Sequence, residues 1–257
     1  MPLRENAPIL REQTEEVLPG LAATNPAATL LTMADQVEIN RLMMAMAEMT
    51  GRFSLYRPSY SMRVLYGERA REAPWAEDAG ASYGTRPPLV SCAELRALGG
   101  MSRGAAGRRR FSRALDQVVE NTGHPLEASV ALLLCAARSD GGQGLRALKM
   151  ASLKNGEASP VEALVLEGRA GKPPVAICCA VQEQELMGSS FECFRRQAAD
   201  AGCQAVRVGA KNLSSGFEFD VWVQYLLKRA GYGYRQKTAH HREREEALRR
   251  AVSSSWV

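Results

Sequence analysis

The stretch 127–138, EASVALLLCAAR, is apolar on nearly every side, and a helix without a polar face is stable only where other elements surround it. The pattern predicts a deeply buried helix, opened by His124-Pro125-Leu126-Glu127 and ended before Asp140-Gly141-Gly142-Gln143-Gly144. Such a helix needs a sheet to lie on. Three extended candidates follow it: a weak one at 148–153, a good one at 161–166, and the continuous apolar run PVAICCAV at 174–181. The turn 168–173 joins the last two as in a hairpin. An amphipathic helix over 189–201 stopped by Gly202, a short strand at 205–208, a helix at 216–230 capped by Gly231 and a charged helix at 239–252 complete the chain. The order from residue 123 onward is α-β-β-β-α-β-α-α, an α/β domain.

Upstream the chain reads as mostly helical. Residues 1–28 mix charge, Pro and Ala without sustained periodicity and are expected to form a flexible arm. From Leu30 apolar residues recur at steps of three and four, Met43, Met46 and Met49 among them, predicting one helix that ends at Gly51. Residues 52–66 suit short strands and 67–88 a loop. Ser91 followed by Glu94 is a capping-box spacing, so a short helix is expected from Ser91 to Gly99-Gly100. The expected division is an arm at 1–28, a helical region at 29–122 and an α/β domain at 123–257.

The 257 residues, 46% apolar and 24% charged, are those of a soluble globular protein with a real core. No stretch approaches the ~18 to 20 apolar residues of a membrane helix, and the start MPLRENAPIL lacks the build of a signal peptide. A cytoplasmic protein without membrane association is expected. The six cysteines form no CxxC pair, which suits reduced core thiols, and only three His are present, so a zinc centre is not expected. No GxGxxG follows a strand, and GxxxxGK[ST], GxSxG and HExxH are absent, so no nucleotide cofactor is expected. A Cys/His nucleophile pair, Cys178 or Cys179 with His124, stays open at this point.

The net charge is +5, which permits an anionic partner without demanding one. Arg103, Arg108, Arg109, Arg110 and Arg113 fall within eleven positions and repel one another unless water, acids or phosphate lie between them. Two readings follow: a solvated helix start with Asp116 and Glu120 as counter-charges, or a contact with a phosphate backbone. In the closing helix Arg242, Arg244, Arg249 and Arg250, after Lys237, interleave with Glu243, Glu245 and Glu246, the pattern of a salt-bridged surface helix. Aromatic residues are sparse near these arginines in sequence, which speaks against a single-strand stacking platform.

The order helix, three-strand meander, helix, strand resembles the restriction-endonuclease-like core of the PD-(D/E)XK superfamily. The spacing resembles the very-short-patch-repair-type endonuclease domains of actinobacterial proteins. His124-Pro125-Leu126-Glu127 is similar to the acid-bearing start of their first helix, and Gly141-Gly142-Gln143-Gly144-Leu145 to the loop after it. Arg86-Pro87-Pro88-Leu89-Val90-Ser91 and the helix at 30–51 with Arg52-Phe53-Ser54-Leu55 resemble the stretches before the domain. Downstream, Phe191-Glu192-Cys193-Phe194-Arg195-Arg196, Val206-Arg207-Val208 and 242–250 resemble what closes it.

The resemblance implies an αβββαβ core, a three-strand meander plus a fourth strand flanked by helices, and phosphodiester cleavage with Mg²⁺ held by acids on the second and third strands. Here the second-strand slot falls on or near Ala163, and the third strand places Cys178 and Ala180 where acids are expected. Glu127 is the acid that survives, as a candidate catalytic and metal-binding residue. Glu162 lies one position from its slot, and one residue along a strand turns a side chain to the other face. The expectation is a catalytically degenerate, nuclease-like protein that associates with double-stranded DNA, without a cofactor, through Arg108, Arg109, Arg110, Arg113, Arg195 and Arg196. The alternatives are an active Mg²⁺-dependent endonuclease using Glu127 and Glu162, and a scaffold for a protein partner of unknown kind.

Overall fold

The computed structural model describes residues 14–18, 21–55, 84–102, 104–153, 161–180 and 189–253. In chain order the elements are a hairpin β1 (Thr14–Leu18) and β2 (Leu21–Thr24), then helices α1 (Pro26–Gln36) and α2 (Ile39–Thr50). A small ladder pairs β3 (Phe53–Ser54) with β4 (Gly84–Thr85), and α3 (Cys92–Met101) and α4 (Arg108–Leu115) follow. The second half holds α5 (Pro125–Cys135), β5 (Leu148–Leu153), β6 (Val161–Leu166), β7 (Val175–Ala180), α6 (Ser189–Asp200), β8 (Gln204–Gly209), α7 (Ala210–Ser214), α8 (Gly216–Ala230) and α9 (Ala239–Ser253). The protein is mixed α/β.

The buried helix forms as its sequence demands. Asparagine, serine, threonine or aspartate usually caps a helix start, but at α5 the imidazole of His124 does so, its Nδ1 accepting from the Glu127 amide at 3.4 Å, with Pro125 in the first turn. Every residue from Pro125 to Leu134 is buried. Helices α2 and α9 and the sheet enclose α5. The expected sheet is present: β5, β6, β7 and β8 lie in that order, antiparallel through the meander and parallel between β7 and β8. Alternation along the strands divides the sheet into two faces. Leu148, Leu164, Leu166, Val175, Ile177, Val206 and Val208 join the main core with α5, and Leu153, Ala163, Val165 and Ala176 pack with Phe194 and Ala198 of α6.

One hydrophobic core runs from Leu30 in α1 to Val252 in α9, so residues from both halves of the chain share it. The helix expected over 30–51 is corrected: two helices begin at Pro26 and Ile39, broken at Val37 and Glu38, both in extended backbone. Periodicity continues across the break, but the carbonyls freed there have a partner from far along the chain. Nη1 of Arg110 donates to the oxygens of Ala34 and Val37, both at 3.0 Å, and of Asp35 at 3.3 Å. Gly107 makes this approach possible, since a Cβ there would lie 2.5 Å from the Ala34 carbonyl carbon and its φ is +75°. Helix α3 carries the expected capping box of Ser91 and Glu94, and it continues through Gly99 and Gly100 to Met101. Of the strands expected within 52–66, Phe53–Ser54 is one, and 56–66 lie outside the described residues.

The glycine-rich loop after α5 is shaped by a helix from the end of the chain. A Cβ on Gly141 (φ +97°) would lie 2.3 Å from the Arg244 carbonyl oxygen, and one on Gly142 would lie 2.1 Å from that of Ala136. The Nε2 amide of Gln143 donates to Glu245 at 2.9 Å, and Arg244 donates to the Ser139 carbonyl. The loop is thus packed between its own helix and α9.

Candidate functional site

Glu127 serves the local backbone. Its Oε2 accepts from the Gly123 amide at 2.6 Å, its Oε1 lies 3.8 Å from Nε2 of His124, and the residue is 8% exposed. Together with the His124 cap this closes the start of α5 from both sides, the role an acid in a first helical turn suits.

The strands revise where acids face. Val161, Ala163 and Val165 of β6 turn toward α6, and Leu164 and Leu166 turn toward α5. By the same alternation Glu162 lies on the α5 side of the sheet, the side of Glu127, where it is exposed. Glu162 therefore faces away from Ala163, as its register predicts, and the face it takes is the one packed by α5. On β7 the expected acid position Cys178 packs on the α6 side, and Cys179 is the residue that meets α5. The β6–β7 ladder pairs Leu164 with Ile177, Val165 with Ala176 and Leu166 with Val175. Cys178 and Cys179 instead pair on the other side, with Arg207 and Val208 of β8.

The Mg²⁺ site that the resemblance implies does not fit these residues. Hard cations take oxygen ligands, whereas the β7 positions are Cys178, Cys179 and Ala180, and one Glu127 oxygen already accepts a short bond from Gly123. Among the described residues no three His, Cys, Asp or Glu side chains form a metal-holding group. A thiol nucleophile is equally unsupported: burial first, then the Glu127 carboxylate and Cys178, push the Cys179 thiol well above its ordinary range, which disfavours the reactive thiolate.

Most of the arginine cluster is tied into the fold. Nε of Arg108 donates to the Gly99 carbonyl at 2.7 Å, Arg110 caps α1, and Arg113 grips Asp140 and Ser139. Arg109 is exposed beside the α1–α2 junction. Just before the last helix Lys237 is sealed between Asp220 and Glu245, and within it Arg249 donates to the carbonyls of Leu213 and Ser214. Arg249 and Arg250 also lie 3.9 and 3.7 Å from Glu246, the interleaved pairs expected of this helix. On α6, Arg195 pairs with Glu192 one turn away, and Arg196 is exposed.

Folding instead assembles a groove that sequence spacing does not reveal. Helices α6 and α8 flank the outer side of β8 and leave an open cavity of about 1080 Å³. Phe191 and Arg195 line it from α6, Gln204 and Arg207 from β8, and Phe217, Val221, Tyr225 and Arg229 from α8. The Arg207 guanidinium lies 5.7 Å from the centre of the Phe191 ring, and that of Arg229 lies 5.1 Å from the centre of the Tyr225 ring. Such cation–ring contacts are worth about 0.5–1 kcal/mol at exposed sites. Arg229 also donates to Oε1 of Gln204 at 2.9 Å. The residues come from three elements between 191 and 229, so the only local sign of the groove was the recurrence of Phe217, Val221 and Tyr225 at steps of four.

The chain matches no family model, no curated protein and no solved structure. Among the described residues no helix is long and apolar enough to cross a membrane.

Proposed function

We propose that this is a cytoplasmic, DNA-associated protein built on a restriction-endonuclease-like core, with its catalytic acids replaced. The observation that carries the reading is the order α5, β5, β6, β7, α6, β8 in one sheet, the element order of the PD-(D/E)XK core. Loss of acids from the β7 positions argues for binding without cleavage, because phosphate contacts need cationic side chains and no metal. One observation favours a second reading, an active Mg²⁺-dependent endonuclease: Glu162 and Glu127 lie on one side of the sheet.

The test is binding of a fluorescein-labelled DNA duplex by the full chain, followed by anisotropy from about 50 to 200 mM salt, with phosphate contacts giving a steep log–log slope. Salt-dependent binding is the expected result, and no binding at the lowest salt overturns the proposal. Metal-dependent nicking of plasmid that is lost in Glu162→Gln would replace it by the second reading.

A further inference from the structure

The groove between α6 and α8 gathers aromatic rings and guanidinium groups in one open cavity. We infer that it holds a single strand of nucleic acid, bases lying on Phe217 and Tyr225 and phosphates on Arg195, Arg207 and Arg229. The inference rests on the nucleic-acid reading above and adds to its duplex contact a separate place for a single strand.

The stripe on α8 is the first ground. Phe217, Val221 and Tyr225 are 79%, 52% and 48% exposed, although the opposite face of the same helix buries Phe219, Val223 and Leu226. Large apolar side chains left in water along one line mark a surface that is covered in use. Phe217 and Tyr225 stand about 12 Å apart along the helix, too far to sandwich one ring, so each offers a separate stacking face. Bases of a duplex are already stacked on their neighbours, whereas those of a single strand present their faces to aromatic side chains.

Charge is the second ground. The lining carries Arg195, Arg207 and Arg229 against Glu192 and Glu218, and pairing of Arg195 with Glu192 leaves Arg207 and Arg229 against Glu218. Arg207 lies over the Phe191 ring and Arg229 over one face of Tyr225, so cations stand in the same groove as the proposed stacking rings, as a strand's backbone runs near its bases.

Other occupants fit less well. A peptide strand added to β8 needs a continuous row of backbone groups. Here Nε1 of Trp222 already donates to the Arg207 carbonyl at 2.9 Å, and the Gly209 amide donates to Oδ1 of Asn212 at 2.9 Å. A second copy docked through this face about a two-fold axis would bring two such arginine-bearing grooves together.

The experiment compares a labelled oligothymidylate of about 20 nucleotides, longer than single-strand sites of roughly 4–16 nucleotides, with a duplex of equal length. The proteins are the full chain and the variants Phe217→Ala/Tyr225→Ala and Arg195→Ala/Arg229→Ala, their folding checked by circular dichroism. The oligothymidylate is expected to bind the full chain at least about tenfold more tightly than it binds the ring variant, as loss of stacking implies. Duplex binding by the ring variant stays within about twofold of the parent, because stacked bases do not use these rings. The arginine variant is expected to lower the single-strand log–log salt slope by about 1.4, from about 0.7 per phosphate contact. Oligothymidylate binding unchanged in the ring variant overturns the inference while leaving the DNA reading standing. Failure of the full chain to bind either probe overturns both. Self-association that vanishes in the ring variant, without oligothymidylate binding, assigns the groove to a second copy and overturns the inference.

Discussion

Arg113 and Asp140 form a two-pronged ion pair, Nε of the arginine donating to Oδ2 of the aspartate at 3.0 Å and Nη2 donating to Oδ1. The pair fastens α4 to the short 3₁₀ turn Arg138–Asp140 that leads into the glycine-rich loop. An arginine that reads as part of a phosphate-binding cluster is thus a structural clamp.

The two partners are unequal, since the Arg113 side chain is 51% exposed and that of Asp140 is 5% exposed. Arg113→Ala strands a buried carboxylate and is expected to cost about 3 kcal/mol. Asp140→Ala frees a guanidinium that can turn to water, and should cost about 1 kcal/mol. Urea unfolding of the two variants checks the order, and equal losses would show that the clamp is not governed by burial of the carboxylate.

Two glycines should respond to alanine in opposite directions. Gly141 has φ +97° and its added Cβ would strike the Arg244 backbone, so Gly141→Ala is expected to lose about 2 kcal/mol or more. Gly100 lies within α3 with nothing within 4 Å of an added Cβ. Gly100→Ala should therefore gain about 0.5–1 kcal/mol from helix propensity. Thermal unfolding of both variants provides the comparison.

His241 is held in its neutral form. Burial is the main cause lowering its pKa below the ordinary 6.5, with charges on Arg138 and Lys237 assisting and the Arg138 carbonyl and Glu245 opposing. The unfolded chain gains a proton near 6.5, while the folded chain resists until lower pH. Stability from this residue is therefore complete above 6.5 and lost as the pH falls through the lowered value. His241→Gln removes that titration, and its stability should vary less with pH just below 6.5 than that of the parent. Parallel curves in urea titrations across this window would exclude His241 as the source.

Several elements were legible because their signals are local. The apolar run after His124 became the enclosed helix α5, Ser91 and Glu94 formed their capping box, and Gly231 closed α8 with φ +76°. Alternation placed the strands within a residue or two. What misled was the assumption that a local pattern fixes a partner. Residues 30–51 keep helical spacing through a break stabilised by Arg110, more than seventy positions away. Arg108, Arg110 and Arg113 sit together in sequence and diverge to Gly99, the end of α1 and Asp140.

The sequence by itself determined that α5 must be enclosed and where the helices and strands after it fall, because propensity, capping and apolar periodicity act over a few residues. It missed the hairpin at 14–24, expected as part of a flexible arm, and the break between α1 and α2. Only the tertiary structure decided the faces and the neighbours. It put Glu162 on the side of Glu127, sealed Lys237 between Asp220 and Glu245, and brought Phe191, Arg207, Phe217 and Tyr225 to one groove. The reason is that alternation divides a strand into two faces without naming either. Which face meets α5 and which meets α6 is fixed only when the sheet packs between them.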